Sequence, residues 1–100
     1  MVSDKDEILL ELLEVFFNNI LYIRQLYPSE IFRKRSQYRL PLHFSVYPPL
    51  NSYLENILKV IQELLSINQL HKVELVIYED IDQVIESFVF DVLNFRIPEQ

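Results

Sequence analysis

The chain has 100 residues, half of them hydrophobic and 13% aromatic, with a net charge of −6 and neither Cys nor Gly. That length suits one domain at the small end for an independent core, and the apolar content argues against disorder. Without Cys there is no disulfide, thiolate zinc site or Cys nucleophile; without Gly there is no phosphate-cradling loop, which excludes P-loop, kinase and dinucleotide-binding readings.

The first residues, MVSDKDEILL, carry acids where a signal peptide needs bases. No apolar run nears the roughly 20 residues that span a bilayer, so the expectation is a soluble intracellular protein. Ser3, with Asp6 three residues later, predicts a capped helix start, supported by Asp4 and Glu7. From there Glu7, Glu11, Glu14, Asn18 and Gln25 trace one polar stripe, interrupted by Tyr22. Nearly everything else is apolar, including Leu9, Leu13, Phe16, Phe17, Ile20, Leu21 and Ile23. An arc that wide predicts a helix packed on more than one side, running to about Tyr27 and closed by Pro28.

The next stretch, LYPSEIFRKRSQYRLP, is expected to be a long loop. It gathers four of the nine basic residues, Arg33, Lys34, Arg35 and Arg39, and also carries Ile31, Phe32 and Tyr38, apolar groups that need cover. A second helix is predicted from near Pro49, a favourable first helical residue, to about Ile67. Leu50, Leu54, Ile57, Leu58, Ile61, Leu64 and Leu65 make its core face, while Tyr53, Val60 and Ile67 recur at seven-residue steps as a second, narrower edge. After Asn68 the period falls to two. HKVELVIYE and VIESFVFDVLNF, joined by DIDQ, predict a β-hairpin. Gly averages about 7% of residues and supplies most left-handed stops and tight turns. Here Asn68 and the Asp80/Asp82 pair are the expected substitutes.

The expected order is therefore helix, long loop, helix, strand, strand, an α+β arrangement. Two strands are not an independently stable sheet, and the first helix has more apolar surface than one helix and one hairpin cover. Further strands are expected after Gln100 or from another chain.

No enzyme chemistry is legible. Glu79, Asp80 and Asp82 sit where turn geometry alone favours acids. His43 and His71 lie in different elements without metal-ligand spacing, and no cofactor or metal is expected. The basic cluster has two readings besides a solvated loop or a nuclear-import signal. It is a docking patch for an acidic partner, or, with Tyr38 as a stacking platform, a small nucleic-acid-binding module over residues 33–39. The chain opposes the second reading, because six acids and no base lie between Glu74 and Asp91. A third reading is an oligomerisation unit joined through the first helix.

Two segments carry a family resemblance. FFNNILYIRQLYPSEIFRKRSQYRLPLHFSVYPPLNSYL and KVELVIYEDIDQVIESFVFDV resemble the N-terminal half of a HORMA domain, in the branch of the non-catalytic accessory subunits of DNA polymerase zeta, over roughly Leu9 to Leu93. The resemblance implies two long helices packed on an incomplete antiparallel sheet, with the family's third helix and safety belt lying beyond residues 1–100. It implies an adaptor without enzymatic activity. Such proteins act in translesion synthesis, double-strand-break repair and the spindle checkpoint, in the nucleus and also at the spindle or in the cytoplasm. The implied partner is a peptide of a polymerase zeta catalytic subunit or a shieldin-like protein, with self-association or HORMA–HORMA pairing beside it, and with no nucleic-acid or membrane contact. Tyr27, Tyr53 and Val60 match family positions at the captured peptide.

Overall fold

The computed structural model describes residues 3–95 of the chain. Its elements are α1 (Asp4–Ile23), a short 3-10 turn (Ser29–Ile31), β1 (Phe32–Gln37), β2 (Leu40–Ser45), α2 (Pro48–Ser66), β3 (Lys72–Asp80) and β4 (Gln83–Asp91). Ser3 caps α1 as expected, its hydroxyl accepting the Asp6 N–H at 3.2 Å.

Both helices stop in the same way. Asn68 stands at φ 56° past α2, where its N–H reaches the Leu65 carbonyl and the Gln69 N–H reaches that of Leu64. Gln25 stands at φ 54° past α1, its N–H bonding the Tyr22 carbonyl while the Leu26 N–H bonds that of Leu21. Each pair of bonds is a Schellman stop, which occupies two otherwise orphaned carbonyls. The expected end of α1 at Tyr27 is thus corrected: the chain has left the helix before Pro28 can act.

The larger correction is the long loop. Residues 32–45 form an antiparallel hairpin in which Gln37 pairs with Leu40 across a two-residue turn, Tyr38-Arg39. Both turn residues have positive φ, 54° and 61°, as the tightest hairpin turn requires and as Asn-Gly would normally supply. Conversely, Asp80 and Asp82 do not take the left-handed geometry expected of them. The β3–β4 ladder shifts register between Ile77 and Tyr78 and again between Tyr78 and Asp80, and those irregularities absorb the reversal without positive φ.

Helix α1 is the centre of the fold. Leu9, Leu13, Phe17 and Leu21 pack with Leu50, Leu54, Ile61 and Leu65 of α2, with Phe32 from β1 and Val92 after β4 closing the cluster. A third side receives β4, where the Phe16 and Phe90 rings lie 4.7 Å apart and Arg24 pairs with Glu86.

The polar stripe of α1 is where the first hairpin docks. Asn18 and Asn19 each donate to the carbonyl one turn back, at 2.9 and 2.7 Å, which turns both amide oxygens outward. Those oxygens accept the Ser45 and His43 backbone N–H groups, each at 2.9 Å. In this register the outward donors of β2 fall at residues 41, 43 and 45, and residue 41 is Pro41, which has none. The outward donors of the hairpin's inner edge are therefore both taken up by two adjacent side chains. Beside them the Tyr22 and His43 rings stack at 3.7 Å, and Phe32 meets the Tyr22 edge at 5.4 Å.

Candidate partner-binding edge

Tyr53 and Val60 stand 61% and 54% exposed on the outer edge of α2, although the helix face one turn round is core. Between that edge and the start of β3 lies an open groove of about 430 Å³, walled by Ile57, Val60, Ile61, Leu70 and Val73 and almost purely apolar. Tyr53 and Lys72 stand at its rim. A phenol at the edge of such a groove can bury its ring against a ligand and keep its hydroxyl wet. The heptad spacing of Tyr53 and Val60 makes them neighbours, and the chain reversal at Asn68 brings Leu70 and Val73 beside them.

Tyr27 is not part of this groove. Its half-buried ring packs on the core and lines a separate recess of about 500 Å³ with Tyr22, Gln25, Leu26 and Pro28, formed where α1 ends in its Schellman stop.

The four basic residues lie on the first hairpin: Arg33, Lys34 and Arg35 on β1, and Arg39 at the turn. Two are engaged within the hairpin. The Arg35 guanidinium lies 3.7 Å from the Phe44 ring centroid, and Arg33 donates to the Glu30 and Phe32 carbonyls at 2.8 and 3.0 Å. The tip is tied to α1 by Glu11, whose carboxylate accepts from the Tyr38 hydroxyl and from the Gln37 amide. That hydrogen bond, foremost, raises the Tyr38 phenol above its ordinary pKa, since ionising it would remove the proton being donated.

No group of three or more His, Cys, Asp or Glu able to hold a metal occurs among the described residues. Nor is any helix among them long and apolar enough to cross a membrane.

The sequence profile of the HORMA domain matches residues 7–100. The chain belongs to the HORMA domain family. It is 43% identical over 84 residues to DNA polymerase zeta subunit 2 of Drosophila melanogaster, covering 84% of this chain and 42% of that protein. It is 40% identical over 86 residues to the human mitotic spindle assembly checkpoint protein MAD2B, covering 86% of this chain and 41% of that protein. With the MAD2A checkpoint protein of Dictyostelium discoideum it shares 38% identity over 95 residues, 94% of this chain and 46% of that one. This HORMA chain thus spans less than half the length of these relatives. Its fold superposes on a chain in a crystal structure of the mitotic checkpoint complex with a TM-score of 0.83 at 24% identity, covering 89% of this chain and 50% of that one. The two helices and two antiparallel hairpins are accordingly a partial HORMA fold, with one hairpin more than the sequence pattern implies.

Two features of this HORMA chain escape sequence reading. The walls of the groove come from residues that read as ordinary helix and strand positions, Ile57, Leu70 and Val73. The Asn18-Asn19 brace left a trace: two adjacent amides inside an otherwise apolar helix stretch, FFNNIL.

Proposed function

We propose that this chain is the N-terminal half of a HORMA domain that serves as a non-enzymatic adaptor. It holds an extended, Pro-containing peptide of a partner such as a polymerase zeta catalytic subunit or a shieldin-like protein. Translesion synthesis, double-strand-break repair and spindle checkpoint control are the processes proposed for it, and the nucleus is its proposed place of action. Direct nucleic-acid or membrane contact is no part of this reading.

The observation that supports it is the groove under Tyr53 and Val60. Two large side chains one heptad apart stay exposed beside an apolar wall, on a helix whose other face is core. Isolated exposed hydrophobics carry little meaning, but a contiguous apolar trough rimmed by Tyr and Lys is the form of a recognition surface. Tyr27, at the end of α1, is assigned a second contact further along the peptide. The two recesses are separate, and an extended ligand is the kind that reaches both.

The test supplies this chain with the C-terminal half of the fly relative, as a fusion, and titrates a peptide from a polymerase zeta catalytic subunit. Wild type captures the peptide. Val60→Arg places a charge against the apolar wall and lowers affinity by at least about tenfold, and Tyr53→Ala does the same by removing an aromatic anchor. Circular dichroism of both variants stays unchanged, because both residues are more than half exposed. Normal binding by both variants, or unfolding of both, would show the edge to be ordinary surface or core.

A further inference from the structure

We propose that the open edge of β1 is a second docking site, which takes a short acidic segment of another protein as an added third strand of the first hairpin. This surface is distinct from the Tyr53–Val60 groove and does not depend on it. The register carries the inference. Gln37 and Leu40 close the turn, so paired positions alternate from there, and the outward backbone groups of β1 fall at Phe32, Lys34 and Ser36. The outward donors of β2 independently confirm this phase, since His43 and Ser45 point to Asn19 and Asn18.

At Phe32 the edge is closed. Its N–H bonds the Ser29 carbonyl, and its own carbonyl accepts from Arg33. At Lys34 and Ser36 the register leaves donors and acceptors facing solvent, on the side of the hairpin away from α1, and both residues are exposed. Two such residues at the spacing of a β ladder are a template for one short strand.

The side chains select what can use it. Arg33 and Arg35 project from one face of β1 and Lys34 from the other, with Arg39 at the turn, so an incoming strand meets cations whichever face it presents. A basic or neutral apolar strand gains the ladder bonds but meets uncompensated charge; a strand bearing Glu or Asp gains both. Arg35 is held over Phe44 of β2, so Lys34 is the cation at the open edge whose side chain no contact within the hairpin holds. The second hairpin has the opposite character, with Glu74, Glu79, Asp80 and Asp82 along its strand and turn, and repels the same ligand.

Proline supplies the decisive variant. Ser36 lies opposite Pro41, so this register already carries a residue without an N–H on one strand. Ser36→Pro removes an outward donor while leaving the β1–β2 bonds in place. The experiment measures fluorescence anisotropy of a labelled peptide of about seven residues alternating glutamate and valine, titrated with the whole chain at about 50 mM salt. Saturable binding is expected. It falls at least about tenfold with Ser36→Pro, and equally when alternate peptide amides are N-methylated against the unaltered chain, and a lysine–valine peptide does not bind. The proposal is overturned if the acidic peptide fails to bind. It is also overturned if N-methylation leaves binding intact, which would reduce the contact to charge attraction. Sedimentation of the chain alone as a dimer that Ser36→Pro dissolves would assign the edge to a second copy instead, and overturn it too.

Discussion

The β1–β2 hairpin is held to α1 through hydrogen bonds from its backbone to Asn18 and Asn19, whereas the β3–β4 hairpin is held through the Phe16–Phe90 contact and the Arg24–Glu86 pair. The first is basic, tightly turned and bonded through both donors of its inner edge. The second is acidic, irregular in register, and leaves Ile81, Val84, Ile85 and Val89 exposed. Hydrogen bonds are directional and fix one register, while apolar packing tolerates small slides; the hairpin with two named acceptors is therefore the more sharply specified of the two. The comparison teaches that a strand pair too small to be a stable sheet can be completed by a helix, provided the helix carries acceptors at the right pitch.

The largest effect expected from breaking that contrast is at Asn18. It is buried, and Asn18→Ala strands the Ser45 N–H and the side of α1 it covers, costing about 1–3 kcal/mol in urea unfolding. Asn19→Ala, at a half-buried site, costs less. Equal and negligible losses at both would mean that packing, not the amide pair, seats the hairpin.

Turn chemistry sharpens the contrast next. Arg39 sits at φ 61° with an exposed side chain, so Arg39→Gly relieves a left-handed penalty and stabilises by about 0.5–1 kcal/mol after the entropy cost of Gly. Asp82→Gly, in the corresponding place on the second hairpin, meets no positive φ to relieve and brings no gain. Thermal melts of the two variants separate these outcomes.

Smaller again is Arg24→Ala. The pair is about half solvent-exposed at Arg24, so its loss costs less than about 1 kcal/mol and vanishes at high salt. A large, salt-independent loss would mean that the ion pair rather than the ring contact seats β4.

The smallest effects are in pH, and they fall at opposite ends. Hydrogen bonding to Glu11, foremost, raises the Tyr38 phenol, so the stabilisation it brings is complete below the ordinary Tyr range and is lost as pH rises through the raised value. The Asn94 side-chain hydrogen bond, foremost, lowers Asp91, so its contribution is present above the ordinary Asp range and is lost as pH falls through the lowered value. In an NMR titration the Tyr38 ring resonances report the alkaline step and the Asp91 side-chain carbon the acid step. A Tyr38 step at or below the ordinary Tyr range, or an Asp91 step at or above the ordinary Asp range, would contradict these assignments.

Much of this was legible in the residues. Ser3, Asn68, the seven-residue steps of α2 and the alternation after His71 predict the α1 start, the α2 stop, the Tyr53–Val60 edge and the second hairpin, because each rests on local backbone preference or one-dimensional period. Gln25 performs the same stop as Asn68 but was unreadable, since Gln has no intrinsic bias toward positive φ. The loop that proved to be a hairpin was unreadable for a related reason. Its turn is Tyr-Arg, and nothing in that dipeptide asks for left-handed geometry.

Residue order alone dictates the two helices, the acidic hairpin, the polar stripe on α1 and membership of the HORMA family. The use of the stripe emerges only when the chain is packed. Asn18, Glu11 and Tyr22 look like a solvent face because polarity marks a need for hydrogen bonds, not the partner that meets it. That partner is β2 and the Tyr38 turn, remote in sequence, and the bonds it receives let a strained Gly-free turn and a charged strand fold where local preference alone predicts a loop.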